Sequence, residues 1–360
     1  MLSRIEKIKI RLIAEGIKIT SEAKQELTKN GEPLSLFEYP TTSGVTLILG
    51  KNIYINTRFT GKHIKPKILL DYIKDVYYLI DKNIKIRVNV LLVPRYFDKK
   101  LDSGILVRDM IMSHADRMRI NPISGCSFRC KFCDAHAENY QKNDIKDIIK
   151  SIKVVMKDKN IKSKHLLISG GTPLKKDYEY IDDVYEKVTK FLKKKNIPVD
   201  VMMSPRMDID ILDKLKKWGV NGLSINLEVF NERMARKVVP QKAAISREFY
   251  FEFIKKAIEI FGKGKVRSLL LLGLEKEKDT LKGVESLAKL GCDVVLSPFV
   301  PGNGIMIKNT KPPTAKSLER MFLQSKKIAN KYGVVLGPRC IPCQHNTLAF
   351  PDRSGKYYFS

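Results

Sequence analysis

Cys126-Ser127-Phe128-Arg129-Cys130-Lys131-Phe132-Cys133 places three cysteines at CxxxCxxC spacing, in a chain of 360 residues with six cysteines in all. Three thiolates on one short loop suit three irons of a [4Fe–4S] cube, because such clusters are ligated by cysteine sulfur. The fourth iron then has no protein ligand from this loop and is open to a small molecule that offers an amine and a carboxylate. A zinc site fits the spacing less well, since structural zinc usually pairs a CxxC with a second pair of ligands.

Outward from the loop, the pattern alternates between strands and helices. Strands are expected at 119–122, 165–169, 199–204, 222–227, 266–273, 292–299 and 334–337. Helices are expected at 144–157, 177–195, 246–261, 280–290 and 315–331, with another ending at 217. Regular β–α alternation calls for a parallel sheet. About seven units give an α/β fold, a full or partial (β/α) barrel of the TIM type, whose functional residues sit at the C-terminal ends of the strands. The cysteine loop follows the first strand, Ser169-Gly170-Gly171-Thr172-Pro173 closes the second, and Asn226-Leu227-Glu228 closes the fourth. Cys340 and Cys343 follow the seventh and on this reading face the barrel mouth. Paired glycines let a ligand approach the backbone, and a carboxylate at the mouth can accept both hydroxyls of a ribose.

Residues 1–115 read as an N-terminal α/β cap or extension. Helices are expected at 5–27 and 67–80, a hairpin at 45–49 and 53–56, and a strand at 86–93. Residues 116–333 form the expected barrel, and 334–360 a C-terminal strand and CxxC tail. The extension and tail are placed to seal the barrel mouth.

The cysteine loop resembles the signature of the radical S-adenosylmethionine (radical SAM) superfamily, with Phe132 where an aromatic commonly precedes the third cysteine. The resemblance implies a [4Fe–4S] cluster on Cys126, Cys130 and Cys133. It implies SAM on the open iron and its reductive cleavage to a 5′-deoxyadenosyl radical that abstracts hydrogen from a substrate. The segment Ser169–Thr172 is similar to the Gly-Gly-x-Pro stretch that contacts the SAM amino group. The stretch Asn226-Leu227-Glu228, with Arg236, Pro240 and Arg247 after it, is similar to one in biotin synthases, lipoyl synthases and iron-hydrogenase maturases. That likeness implies Glu228 on the SAM ribose and Arg247 on its carboxylate. Leu271 to Glu275 and Ser297 to Gly304 resemble that same group, where these strand ends help hold SAM or shape the substrate pocket; Met202, Met203, Ser204 and Arg206, at the end of the third strand, are placed to face SAM or substrate, with plain packing the alternative for the two methionines. The resemblance covers about residues 117–310. It departs from lipoyl synthase in that no cysteine precedes Cys126, and the additional barrel cysteines of biotin synthase are not evident.

Cys340-Ile341-Pro342-Cys343-Gln344-His345 has three readings: ligands of an auxiliary iron–sulfur cluster with His345 as a third donor, a redox or substrate-binding thiol pair, or a zinc staple or inert pair. Cys292 opens its strand at the far end of the barrel and reads as buried core. His136, three residues beyond the cysteine loop, reads as a surface or packing histidine.

The hydrophobic share of 43% is that of a globular chain, and Lys plus Arg (67) exceed Asp plus Glu (39) to give a net charge of +28. The charge suits an acidic partner: an acidic carrier protein, RNA or DNA. It is spread over lysine-rich helix faces rather than gathered in one basic block. No run of about 18 apolar residues marks a membrane helix, the N-terminus lacks an apolar signal core, and a cytoplasmic protein is expected. No nucleophile–base triad or Walker-type loop is found. The expected activity is a radical SAM reaction, with sulfur insertion into an unactivated C–H bond the first choice and ferredoxin or flavodoxin the reductant. RNA methylthiolation or methylation is the rival, and a non-catalytic cluster carrier the third reading.

Overall fold

The computed structural model describes residues 2–29, 33–34, 36–39, 42–302, 305–307 and 309–351. Asn303 and Gly304 of the sixth-strand end, Met1, and the tail from 352 lie outside them.

The N-terminal portion is built from α1 (Arg4–Glu15), β1 (Lys18–Ile19), α2 (Ser21–Thr28), β2 (Leu36–Tyr39), β3 (Thr42–Leu49), β4 (Ile53–Thr57), β5 (Leu69–Ile73), β6 (Val76–Asp81) and β7 (Ile84–Leu91). The expected helix at 5–27 is two helices. Gly16 closes α1 at φ +77°, where an added Cβ would sit 2.6 Å from the Arg58 carbonyl oxygen, and Thr20 caps α2 by accepting from the Ala23 amide. The expected helix at 67–80 is instead the β5–β6 hairpin. Its two-residue turn, Lys74-Asp75, takes positive φ at both positions (49° and 61°), the geometry that matches the twist of paired strands. Strand propensity of Leu69, Tyr72, Ile73, Val76, Tyr77 and Tyr78 outweighs the helical spacing. The strands run β1-β5-β6-β7-β3-β2, with β4 also on β3, and enclose their own apolar cluster, including Leu12, Leu47, Ile55, Leu70 and Leu79.

After α3 (Val107–Met110) come β8 (Ile111–His114), β9 (Arg117–Ile120), the short ribbon strands β10 (Ile123–Ser124) and β11 (Gln141–Lys142), α4 (Ile145–Val155), β12 (His165–Ile168), α5 (Tyr178–Lys193), β13 (Val199–Met202) and α6 (Ile211–Trp218). Then follow β14 (Gly222–Ser224), α7 (Glu232–Val238), α8 (Pro240–Ala243), α9 (Arg247–Phe261), β15 (Val266–Leu272), α10 (Glu277–Lys289), β16 (Asp293–Pro298) and α11 (Ala315–Lys331). The sheet order is β16-β15-β14-β13-β12-β9-β8. Six of these strands are parallel; only β8 runs against its neighbour. This is the expected partial α/β barrel. Helices face it through apolar stripes: α4, capped by Asp144 on the Lys146 and Asp147 amides, buries Ile148, Ile152 and Val155 at helical spacing. The strands are buried on both faces, as β12 and β16 are at every position, the pattern of a helix-covered parallel sheet.

The expected seventh strand is reduced to one bridge, Leu336 to Val294. The Gly337 amide donates to the Val294 carbonyl at 2.7 Å, and the Leu348 amide to the Leu296 carbonyl at 2.8 Å. The tail thus runs along the free edge of β16. Its 3-10 turn, Pro342–Asn346, lies against the β8–β9 side: the His345 ring stacks on His114 with centroids 4.1 Å apart, and His114 reaches Thr46 at 2.8 Å. The gap of an incomplete barrel is filled by the tail and the N-terminal sheet.

Lys9 fixes this closure. It is fully buried, yet its ammonium donates to the carbonyls of Gln344 (2.8 Å) and Ala349 (2.7 Å). Burial brings its pKa down to about 7 from an ordinary 10.5. Between those values the unfolded chain binds a proton that the folded one does not, so the cost of burying the charge is full below about pH 7 and gone above 10.5. The unfolding free energy of the wild type in urea should therefore rise against that of Lys9→Met from pH 7.5 to 9.5, by up to about 1.4 kcal/mol per pH unit. Parallel pH profiles for the two proteins would contradict this account of Lys9.

Candidate functional site

The loop that carries the three cysteines leaves β9 at the C-terminal edge of the sheet and is closed at its base by the β10–β11 ribbon. Its position is set by the glycines after β12. An added Cβ on Gly171 would lie 1.7 Å from the Gly125 carbonyl oxygen and 2.8 Å from the Cys126 Cα, so only glycine lets the two segments meet. Gly170 takes φ +109° to turn the chain there. The segments are then stitched together. The Ser127 amide donates to the Thr172 carbonyl (3.0 Å), the Ser127 hydroxyl to the Pro173 carbonyl (3.1 Å), and the Thr172 amide to the Cys126 sulfur (3.1 Å). The far side is held by the Lys131 amide on the Val238 carbonyl (2.8 Å) and by the Met306 amide on the Lys131 carbonyl (2.8 Å).

Cys126, Cys130 and Cys133 line one cavity of about 160 Å³, together with Phe132, the segment Ser169–Thr172, Ser204 and Glu228. Every described residue of that lining falls between 122 and 242. Among the described residues, none of the N-terminal portion or the tail lines this cavity; the described tail packs on the open side of the sheet. Burial pushes the Cys130 thiol well above its usual range, with the Glu228 charge adding to the effect. Burial likewise lifts Cys133 to about 11. Both thiols are held protonated by burial, and a metal bound here would displace those protons.

Glu228 is aimed into this cavity by its backbone. Its φ is +68°, a conformation that costs a non-glycine residue of order 1–3 kcal/mol. The chain leaves β14, bulges, and rejoins β15 through a separate Glu228–Leu270 bridge. One carboxylate oxygen takes Lys242 at 2.8 Å; the other is buried with no hydrogen-bond partner. Burial opposes the Lys242 charge, but Glu228 outweighs it and holds the pKa above the ordinary value. Lys242 also donates to the Asn226 carbonyl (3.0 Å), which accepts from the Tyr250 hydroxyl as well. Lys242 is the site residue that the sequence does not announce: one lysine on a short helix in a lysine-rich chain.

Two expected groups go elsewhere. Arg247 is absent from the cysteine cavity. It stacks on Phe230, donates to the Phe230 carbonyl at 2.7 Å, and lines an adjoining cavity that shares only Lys242 with the first. Arg206 does line the cysteine cavity but is committed to Asp182 (2.6 Å) and Asp208. Cys340 and Cys343 lie at the opposite, N-terminal edge of the sheet, because the tail joins β16 at its first residues: Arg339 pairs with Asp293 at 2.6 Å. They meet Asp116, which precedes β9, and His165, which opens β12. His345, the donor expected beside them, turns to the Pro342 carbonyl and the His114 ring. Cys292 is buried, as expected.

Gly171→Ala drives a methyl into the Gly125 carbonyl. It should cost about 1–3 kcal/mol by overpacking and make Cys130 alkylate faster in the metal-free protein. An unchanged alkylation rate would mean that the glycine does not hold the loop.

Residues 120–284 match the family model described as the radical SAM superfamily. No curated protein matches the chain. Among solved structures, coproporphyrinogen III oxidase HemN from Escherichia coli is similar at 22% identity, over 48% of this chain and 41% of that one, with a TM-score of 0.39. HydG, a maturase of the [FeFe]-hydrogenase, gives 18% over 61% and 50%, with a TM-score of 0.48. Streptococcus suis SuiB gives 17% over 63% and 49%, also at 0.48. The match spans half or less of each of those chains. The converging thiols fall inside the segment, 120–284, that is similar to the radical SAM superfamily.

Proposed function

We propose that the chain is a radical SAM enzyme whose cysteine cavity holds a [4Fe–4S] cluster and SAM. The observation that supports this most is the convergence of Cys126, Cys130 and Cys133 on one cavity with a glycine cradle and a carboxylate oxygen that has no partner. When bound, the pair supplies reductive cleavage of SAM to a 5′-deoxyadenosyl radical.

The residues present fit such a group. Three soft donors suit iron. Ser169 to Thr172 offer backbone polar groups beside Cys126 for the methionyl end of SAM. Glu228 offers its unpaired oxygen to the ribose hydroxyls while Lys242 anchors the other. Phe132 and the apolar cluster of Val229, Leu271 and Phe299 behind the cysteines keep water from that side of the cavity. Arg247 is too occupied with Phe230 to serve the SAM carboxylate in this arrangement. A low-potential donor such as ferredoxin or flavodoxin supplies the electron.

Sulfur insertion loses its main support, because Cys340 and Cys343 are on the other edge of the sheet and cannot deliver sulfur to this cavity. Hydrogen abstraction from a substrate of unassigned class is what the site supports. Protein reconstituted anaerobically with iron and sulfide, then given SAM and dithionite, should form 5′-deoxyadenosine. Cys130→Ala should abolish it, and Glu228→Gln should weaken SAM binding by roughly tenfold, the loss of one charge-assisted hydrogen bond. A wild type that holds four irons yet forms none would leave the cluster-carrier reading.

A further inference from the structure

We infer that Asp116, His165, Cys340 and Cys343 form a mononuclear zinc site that clasps the tail to the N-terminal edge of the barrel. The four side chains are buried and come from three separate parts of the chain: the β8–β9 turn, the start of β12, and the tail. Their donor atoms all lie within 4.8 Å of one another.

Four of the six donor–donor spacings are those of one tetrahedral ion. The His165 Nε2 stands 3.3 Å from the Asp116 Oδ1 and 3.4 Å from each sulfur, and the Cys340 Sγ stands 3.4 Å from the same Asp116 oxygen. Zinc–ligand bonds of about 2.0–2.3 Å in a tetrahedron put donors about 3.3–3.8 Å apart. A cluster of two or more irons would hold its ligands further apart, so these four converge on a single ion.

Hydrogen bonding alone does not account for the group. The Cys340 thiol donates to the Asp116 Oδ1, and the one ring nitrogen of His165 is approached by that oxygen and by both sulfurs, more partners than a single ring nitrogen serves well. The second Asp116 oxygen is buried with no hydrogen-bond partner. The Cys343 amide donates to the Cys340 sulfur at 3.3 Å, support that favours a thiolate. Two thiolates and a carboxylate on zinc leave one net negative charge, and Arg117 is near enough for its charge to act on Cys343. Soft sulfur with imidazole suits zinc above harder divalent ions. The site has no open face, as expected of a structural rather than a catalytic ion.

Its placement gives it a task. The tail joins β16, the last strand of the sheet, and Asp116 lies in the turn of β8, the first. An ion there cross-links the two free edges of the incomplete barrel, beside the contacts of Lys9 and His345.

The test uses the full chain with Cys126, Cys130 and Cys133 all changed to Ala, so that the upper cavity collects no metal. After loading with Zn²⁺ under reducing conditions and dialysis, elemental analysis should find about one zinc per chain. Co²⁺ in its place should give the visible bands of a tetrahedral ion and two thiolate-to-cobalt transitions. Adding Cys340→Ser and Cys343→Ser should remove both. The cobalt spectrum counts thiolates without those changes, so the inference stays testable if that variant fails to fold. No retained zinc, a cobalt spectrum without thiolate bands, or iron found in place of zinc in protein as isolated would overturn it. None of these outcomes bears on 5′-deoxyadenosine formation in the unaltered chain.

Discussion

The contact between Gly171 and the Gly125 carbonyl is the constraint on which the site depends. Two loops from neighbouring parallel strands meet there with no side chain between them, and three hydrogen bonds stitch them together. The loop after β9 would otherwise be sixteen residues, 125–140, held only at its base by β10 and β11, and its thiols would have no fixed relation to the cavity. With the contact made, Cys126 stands against the Thr172 amide, and Cys130 is packed among Val229, Val238 and Phe299. A parallel sheet supplies this arrangement cheaply, since successive strand ends fall side by side at one edge.

Glu228 shows the reverse, a position where local cost is accepted. A left-handed glutamate, a buried ion pair and an unsatisfied oxygen occur within one side chain. Such strain persists only where surrounding structure fixes it, and here the β15 bridge and Lys242 do so. The barrel core is by contrast mainly apolar, with small hydroxyl side chains such as Ser151, Ser224 and Ser268 buried among residues like Ile120, Leu223 and Leu296. The opposite edge of the sheet carries a second polar concentration, centred on Cys340 and Cys343, that belongs to closure of the barrel rather than to the cavity.

Much of this was legible from residues alone. Alternating apolar strands and striped helices mark the six parallel strands from β9 to β16 and the helices α4, α5, α6, α9, α10 and α11, but not the β10–β11 ribbon or the short α7 and α8, and the strand-end rule points to the cysteine loop, the glycines and Glu228, which line one cavity. What failed did so for identifiable reasons. Lys74-Asp75 carries no glycine or asparagine, so its left-handed turn left no mark and the hairpin read as a helix. Gly16 was passed over inside an apolar pattern that continues on both sides of it. The same strand-end rule misplaced Cys340 and Cys343, because the seventh strand is a single bridge and the chain stays at the edge where it joined. Lys242 was hidden by abundance, and Asp116 and His165 by distance along the chain: nothing local ties them to a CxxC some 175 and more residues away.

The most direct measurement is electron paramagnetic resonance of the reconstituted, dithionite-reduced protein, recorded with and without SAM. The account requires the signal of a reduced [4Fe–4S] cluster that depends on Cys126, Cys130 and Cys133 and changes when SAM is added. A protein that gives no such signal, or whose signal is indifferent to SAM, contradicts it.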